Sequence, residues 1–324
     1  MKNNNFISVF RHYLNSYVER CQALGYKYKS EIYILKRFDC FSKDRAMKPV
    51  ITKSLFDAWS YPKTYHKART TIMHHNIIRA FAIYINGVDR CSYIPPRCMM
   101  KSNYDFSPYI FTKIEFEKIL AQAKNIELNN ISPFRHIVVP ALLRMLYCCG
   151  FRINEVLCLK VKDIDWDDGV AFVNSGKNEI DRLVPMNKQL LKYLKDYIAE
   201  MPHPFNNDDW LFPSRNGNHY SHSAVYSIFR ELLFSSGISH GGRGKGPRLH
   251  DFRHTFAVNC LATLIDSNMD TMQILPILAA YLGHKNYKAT CRYLHLTAEV
   301  YPSIVKKTEF KYETLIPSFG GDGE

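Results

Sequence analysis

Two basic side chains that suit an anionic ligand lie three residues apart between Leu249 and Ala257. Apolar residues recur from Phe252 onward with the spacing of a helix, so His250 and Arg253 are expected on one face near its start. A guanidinium group carries a permanent charge and donates two parallel hydrogen bonds, and an imidazole adds a third donor. The stretch therefore predicts a binding site for a phosphate group, whose other members lie elsewhere in the chain.

Candidates for the rest of the site occur on both sides of this stretch, and each alone has a plainer explanation. Arg152, three residues before Glu155, is by itself typical of a surface ion pair. Lys177 falls in a turn, where a lysine is usually solvated, and Tyr293 is one of 21 tyrosines. His254 is expected to hydrogen-bond within its own helix. Only the joint order of these residues favours a shared function.

The elements that must position these residues can be predicted from periodicity and turn signals. Two short strands separated by Asp167-Asp168-Gly169 predict a hairpin, and a third strand follows a turn that carries Lys177. This gives a mainly helical fold with a small three-stranded antiparallel sheet. In the second half, helices are predicted over 137–149, 153–159, 189–201, 223–235, 250–264 and 272–282, with a short one around 290–295, and strands over 161–166, 170–174 and 182–185.

The N-terminal third predicts a compact basic bundle of four helices. They should span 6–24, 31–41, 55–59 and 65–85, the last ending before Gly87. Residues 1–102 hold 18 Lys and Arg against 6 Asp and Glu, and nearly all of the net charge of +13 lies there. Such a surface is typical of nucleic-acid binding, although a solvated basic face is the alternative. The candidate DNA contacts are Lys27, Lys29, Lys36, Arg37, Lys67 and Arg69, with Arg243 and Lys245 in the Gly-rich loop 237–247 and Arg248 directly after it.

Composition bounds the class of protein and its surroundings. A chain of 324 residues with 46% hydrophobic content can form two folded domains, and it contains no apolar run that predicts a signal peptide or a membrane span. Nine scattered cysteines without a Cys-x-x-Cys motif favour a reducing cytoplasm over a disulfide framework. His250 and His254 have zincin spacing, but Asp251 and Arg253 disfavour it, so we expect no metal and no cofactor.

The domain boundaries follow from a proline-rich stretch and a capping signal. The segment from Ser92 through Pro95-Pro96 to Ser107-Pro108 cannot continue a helix, and Thr112 to Glu115 has the spacing of a capping box. We predict a basic DNA-binding domain over 1–92, a linker over 93–110, a second domain over 111–298 that contains the candidate phosphate site, and a tail over 299–324. The tail is expected to pack either on its own chain or on a neighbouring protomer.

Five short motifs follow one another in the second half: Gly150-Phe151-Arg152 to Glu155, Gly176-Lys177 with Arg182 to Pro185, His250 to Ala257, Tyr281 to His284, and Tyr293-x-His295. With these pieces placed, the second half resembles the tyrosine recombinase (phage integrase-like) family. The interval of 31 residues between Arg253 and His284 is closer to members carried on transposons and integrative elements than to chromosome-dimer-resolving Xer members. The resemblance covers about residues 105–295 and implies that 111–298 is the catalytic domain, and the N-terminal third matches in kind, as a SAM-like helical core-binding domain.

The resemblance implies a DNA strand transferase that needs neither metal nor ATP, because a phosphotyrosyl ester conserves the energy of the broken bond. It makes Tyr293 the nucleophile and Arg152, Arg253 and His284 the donors that stabilise the transition state. Lys177 would protonate the leaving 5′ oxygen. His250 or another nearby base would take the tyrosine proton. Glu155 would orient the cationic side chains of the site without touching DNA.

The partner implied is double-stranded DNA, clamped between the two domains, with a tetramer assembled on two duplexes and accessory recombination proteins in addition. Two other functions share some of these features. A type IB topoisomerase-like enzyme would use the same chemistry without exchanging strands, and a DNA-binding regulator would have lost catalysis. Tyr281 and Tyr287 are the competing nucleophiles, each disfavoured because neither has the family's offset from His284.

Overall fold

The computed structural model describes residues 4–60, 68–89, 91–100, 107–127, 134–174, 181–242, 246–267, 269–284 and 288–301. The chain divides into two compact units, Met1–Phe106 and Ser107–Glu324. The described parts are mainly helical with one small antiparallel sheet, which confirms the predicted fold class. None of the described helices is both long enough and apolar enough to cross a membrane.

The first unit holds four helices, and their apolar faces meet in an aromatic core. Phe10, Phe38 and Phe81 are all fully buried and lie in mutual ring contact, with centroids 5.7 to 6.4 Å apart. Burial of such large side chains is the main favourable term for a bundle of this size. The helices are α1 (Arg11–Ala23), α2 (Lys29–Ser42), α3 (Lys53–Ser60) and α4 (Ala68–Asp89).

Two helix bounds in this unit differ from prediction by four residues or more. The first helix was predicted from residue 6 but begins at Arg11, because the buried Asp39 carboxylate accepts the backbone N–H groups of Ile7 and Ser8 and holds them outside the helix. The fourth was predicted to end before Gly87 but runs to Asp89. The Tyr13 hydroxyl donates to the Asp89 carboxylate and so ties the last turn to α1, and the helix continues through Gly87 although an internal glycine costs roughly 1 kcal/mol. Its predicted start at residue 65 lies outside the described residues.

The second unit is built from helices around the small sheet. The predicted capping box is confirmed, since the Thr112 side chain accepts from Glu115 N and the Glu115 side chain accepts from Thr112 N. The helices are α5 (Lys113–Lys124), α6 (Arg135–Cys149), α7 (Ile153–Leu157), α8 (Lys188–Glu200), α9 (His222–Ser235), α10 (Asp251–Asp266), α11 (Thr271–Leu282) and α12 (Lys288–Val300), with a 3₁₀ turn at Val161–Asp163.

The sheet pairs its three strands in chain order, and both pairings are antiparallel, as the hairpin signal predicted. The strands are β1 (Ile164–Asp165), β2 (Val170–Val173) and β3 (Arg182–Pro185). Val173 lies opposite Arg182, so β3 starts where β2 ends. The inward positions of β3 are Arg182 and Val184, and the charged residue is therefore turned toward the protein interior.

Helices α6 and α10 form the centre of this unit. Nine of the fifteen residues of α6 are buried, including Pro140. Phe252 of α10 is fully buried and stacks on Phe111, with ring centroids 4.6 Å apart. Behind them, α10, α11 and α12 pack their apolar faces together, and Tyr293 belongs to that cluster. The predicted nucleophile is thus held by the packing of three helices.

Candidate active site

The C-terminal end of α6 supplies the first part of the site. Gly150 ends the helix with a φ of +61°, a backbone conformation that residues other than glycine rarely adopt. A Cβ atom there would lie 2.5 Å from the Phe256 ring. Arg152 follows two residues later, immediately before α7. The Gly150 carbonyl accepts a hydrogen bond of 2.9 Å from Nη1 of Arg253. The helix end therefore carries one arginine and holds a second.

A buried carboxylate joins Arg152 to a third arginine. Glu155 accepts from Arg152 Nη1 at 2.6 Å and from its backbone N–H at 2.8 Å, and it accepts from Arg182 Nη1 and Nη2 at 3.1 and 2.8 Å. These donors outweigh the cost of burial and lower the pKa of Glu155 to about 2, with the Arg182 guanidinium as the largest favourable influence. The carboxylate is thus ionised at any physiological pH.

Arg182 is a residue of the site that the sequence analysis missed. It was placed at the start of a strand and within the matching motifs but was given no role, yet its Nε also donates to the Tyr281 carbonyl at 2.8 Å and its side chain is 6% exposed. A usable signal was present in the alternation of β3, because an arginine at an inward position needs a buried anionic partner. Arg182 therefore links β3 to the end of α11.

The turn after α11 brings Arg152 and Arg253 together. Arg253 Nη2 donates to the Leu282 carbonyl, and Arg152 Nη2 donates to the next carbonyl, that of Gly283, at 3.1 Å. His284 follows, and its Nδ1 shares a hydrogen bond of 2.8 Å with Thr290 Oγ1 on α12. That bond fixes the ring and leaves Nε2 for another partner. Burial, then the nearby arginines, lower the pKa of His284 to about 4, so the ring is neutral at pH 7.

Tyr293 of α12 lies next to His284 in this cluster. It is 3% exposed, and its ring is nearly parallel to that of His284, with centroids 6.3 Å apart. Burial raises the pKa of the Tyr293 phenol above its ordinary value of 10. Arg253 opposes this rise through its charge and a hydrogen bond, and Arg292 and Arg152 oppose it through charge alone. The hydroxyl is therefore protonated at neutral pH but surrounded by cations that favour the phenolate.

The prediction for His254 was wrong. Its Nδ1 lies 3.2 Å from the Tyr293 hydroxyl oxygen, a contact across 39 residues rather than within the helix. Burial and neighbouring cations lower the pKa of His254 to about 3. His250 occupies the N-cap position of α10 and is exposed, with its ring centroid 4.8 Å from that of His254. The two histidines are thus in ring contact one helical turn apart, with His254 between His250 and Tyr293.

The charge of this cluster suits an anion. Arg253 is 1% exposed, and burial followed by the charge of Arg152 lowers its pKa to about 10, which still leaves it protonated at neutral pH. Arg152 and Arg182 are cations as well, and Glu155 compensates only one of the three charges. A buried net positive charge next to a tyrosine hydroxyl favours a bound phosphate group.

The other predicted residues have varied positions. Arg248 pairs with the buried Asp251 carboxylate at 2.8 Å, and Tyr281 donates its hydroxyl to the Pro185 carbonyl. Within the described parts of the chain, no three His, Cys, Asp or Glu side chains are grouped so that they could hold a metal ion. Lys27, Lys29, Lys36 and Arg69 are exposed and Arg37 is half-buried, whereas Lys67, Lys177, Arg243, Lys245 and Tyr287 lie outside the described residues.

Comparison with known proteins agrees with this geometry. Residues 110–299 match the model of the phage integrase family. A Sinorhizobium fredii protein named as an integrase/recombinase, y4rB, is 28% identical over 320 residues, which is 95% of this chain and 99% of the relative.

Two solved structures share the fold. The XerH site-specific recombinase bound to a palindromic difH substrate has a TM-score of 0.62 at 20% identity, covering 86% of this chain and 78% of that one. The Tn1549 transposon integrase in complex with a circular intermediate DNA has a TM-score of 0.62 at 19% identity, covering 87% and 94%. Since the family model spans more than half of its length, the chain belongs to the phage integrase family of tyrosine recombinases.

Proposed function

We propose that this site-specific recombinase cuts and rejoins double-stranded DNA through a covalent 3′-phosphotyrosyl bond formed by Tyr293. One observation carries the assignment: Arg152, Arg253 and His284 meet at the carbonyls and backbone of residues 282–284, and the Tyr293 hydroxyl lies in the same buried cluster. A scissile phosphate in that cluster would face the phenol oxygen. Strand exchange then needs no ATP, because the phosphotyrosyl ester keeps the bond energy.

The arginines act on the charge that develops in the transition state. Each terminal nitrogen of Arg253 carries two N–H groups, and the bonds to Gly150 and Leu282 use one on each, so donors remain for a non-bridging oxygen. Arg152 and His284 would donate from neighbouring positions. Preorganised donors of this kind cost nothing to reorient during the reaction, and removing one typically costs about 10²–10³ in rate.

Lys177 is proposed to protonate the 5′ oxygen as it leaves. A lysine beside several cations can have its pKa lowered, which helps it to give up a proton near neutral pH. Glu155 is assigned no contact with DNA, because its oxygens are occupied by Arg152 and Arg182. Its part is to hold both guanidinium groups in place.

The basic first unit is proposed to supply phosphate contacts, so that DNA affinity falls steeply as salt rises. The exposed Lys27, Lys29, Lys36 and Arg69 are the candidates there. Recombination of two duplexes needs four active sites, and we therefore propose a tetramer assembled on DNA, acting in the cytoplasm on a mobile genetic element. The match to a transposon integrase supports the last point.

The decisive experiment is covalent trapping on a nicked suicide duplex that contains a binding site selected by the protein from random DNA. The wild type should form an adduct that resists denaturant, Tyr293→Phe should form none, and Tyr287→Phe should act as the matched control with wild-type yield. An adduct in Tyr293→Phe would refute the assignment of the nucleophile.

A plasmid carrying two copies of the site then separates strand exchange from its alternative. Recombined products are expected in the presence of the wild type. Supercoil relaxation without exchanged products would show that the enzyme works as a topoisomerase.

A further inference from the structure

We propose that His254 is a further catalytic residue, whose Nδ1 accepts the proton that Tyr293 loses as its oxygen attacks the phosphodiester. The inference rests on the proposed function and adds to it the acceptor that the nucleophile needs. A buried phenol with a raised pKa holds its proton until attack, so a base must stand beside it.

The distance between the two groups fits direct proton transfer. Nδ1 of His254 lies 3.2 Å from the Tyr293 hydroxyl oxygen, within the reach of a general base. The two residues come from α10 and α12, which pack through Ala257, Val258 and Leu296. The contact is therefore held by a buried helix interface and does not depend on a loop.

His254 is also in ring contact with His250, one helical turn earlier. The centroid distances from the His254 ring are 4.8 Å to His250 and 5.7 Å to Tyr293. His250 is the exposed member of the pair and His254 the partly buried one. We give the proton to His254 because its Nδ1 lies at hydrogen-bond distance from the Tyr293 hydroxyl.

The surroundings keep His254 neutral before DNA binds. Burial is the largest cause of its low pKa, followed by the charges of His250 on its own helix, Arg248 before that helix, Arg292 on α12 and Arg253. In the neutral tautomer with its proton on Nε2, the ring has a lone pair at Nδ1 that accepts a proton. A bound phosphodiester brings negative charge against the same cations and favours the imidazolium form. The acceptor thus becomes stronger when the substrate arrives.

The step balances in atoms and charge. The Tyr293 O–H bond breaks, its proton moves to Nδ1 of His254, and the phenol oxygen uses the released electron pair to bond to phosphorus. The bond from phosphorus to the 5′ oxygen breaks with its electron pair on that oxygen, which takes a proton from Lys177. In the rejoining step the 5′ hydroxyl attacks, its proton returns to Lys177, and the His254 imidazolium protonates the departing phenolate.

The test uses the full chain and a nicked suicide duplex with a bridging 5′-phosphorothiolate at the scissile position. Sulfur leaves without being protonated, so protonation of the leaving group by Lys177 no longer affects the measured rate. The variant is His254→Asn, which keeps a polar group near the position of Nδ1 but cannot take a proton, and the matched control is His203→Asn, at an exposed histidine after α8. Single-turnover adduct formation is measured from pH 6.5 to pH 9.

We expect His254→Asn to bind DNA like the wild type but to form adduct about 100-fold more slowly at pH 7, as the loss of a general base implies. Its rate should rise about tenfold per pH unit, because hydroxide then removes the phenol proton. The wild type and His203→Asn should show nearly level profiles. A variant within threefold of the wild type, or one that is equally slowed at every pH, would overturn the proposal, since a merely positioning hydrogen bond gives parallel profiles.

A second measurement needs no variant and covers the case in which His254→Asn fails to fold. With the phosphorothiolate duplex, the wild type should react more slowly in D₂O than in H₂O, because the phenol proton is in transit in the rate-limiting step. An isotope effect of one would refute proton transfer to His254 in that step. If the wild type formed no adduct at all, or Tyr293→Phe still did, the proposed function would fail, and this result is distinct from either outcome above.

Discussion

The Glu155 carboxylate holds two guanidinium groups of the site, so Glu155→Gln should destabilise the second unit by several kcal/mol. The carboxylate accepts two hydrogen bonds from Arg152 and two from Arg182, and its side chain is only 4% exposed. Glutamine keeps one acceptor oxygen but turns an N–H₂ group toward a guanidinium. One buried cation would then lose its partner.

The magnitude follows from the acidity of the group. The difference between a pKa of about 2 in the folded protein and the ordinary value of 4.5 corresponds to about 3 kcal/mol of preference for the ionised form. This agrees with the range of about 3–5 kcal/mol for breaking a buried ion pair by removing one partner. We therefore expect a loss of about 3 kcal/mol at pH 7.

The pH dependence has a definite sign. Because folding lowers the pKa of Glu155, its contribution is fully present above about pH 4.5 and is lost as the pH falls toward 2. The glutamine variant lacks this contribution at every pH. The stability difference between wild type and variant should therefore shrink steadily below pH 4.5.

The assay is urea unfolding followed by tryptophan fluorescence in a Trp59→Phe background, where Trp166 and Trp210 report on the second unit alone. The matched control is Asp208→Asn, which removes a carboxylate from an exposed pair with Lys162 and should not shift the midpoint measurably. A loss below 1 kcal/mol at pH 7 for Glu155→Gln would refute the reasoning. A stability difference that stayed constant from pH 5 to pH 3 would also refute it.

Two further predictions concern residues that support the site. Thr290→Val removes the hydroxyl bonded to His284 Nδ1 and should slow adduct formation at least about tenfold without weakening DNA binding, while Thr290→Ser should restore the rate; equal rates in single turnover would contradict this. Gly150→Ala places a Cβ against the Phe256 ring at a positive φ and should lower the unfolding free energy by more than about 1 kcal/mol, part of which Phe256→Ala should recover in the double variant; a neutral Gly150→Ala would contradict it.

Local sequence signals predicted much of the fold because the structures they specify are themselves local. Asp167-Asp168-Gly169 specified the hairpin between β1 and β2, and the spacing of Thr112 and Glu115 specified the start of α5. Gly150 marked the end of α6 in the same way. In each case the interacting groups lie within a few residues of one another, so a pattern along the chain contains the whole interaction.

The contacts that complete the site could not be found in this way. Arg182 and Glu155 are 27 residues apart, and His254 and Tyr293 are 39 apart, so only the packing of separate elements brings them together. The same reason explains the late start of α1. Its periodicity includes Phe6, which is buried as predicted, but a carboxylate from α2 competes for the backbone N–H groups before Arg11. Periodicity predicts burial there and does not predict the backbone conformation.

Gly150 and Gly283 have the same structural role, which follows from how helices end. The last carbonyls of a helix lack partners within the helix and carry partial negative charge, so they attract cations. Gly150 and Gly283, with φ values of +61° and +66°, end α6 and α11 sharply. The carbonyls of Gly150 and Leu282 then hold Arg253, and that of Gly283 holds Arg152. Both arginines are thus oriented by helix ends before any DNA binds. If either helix continued past its glycine, the carbonyls at that helix end would no longer be available to the arginines, although every reacting residue would still be present in the sequence.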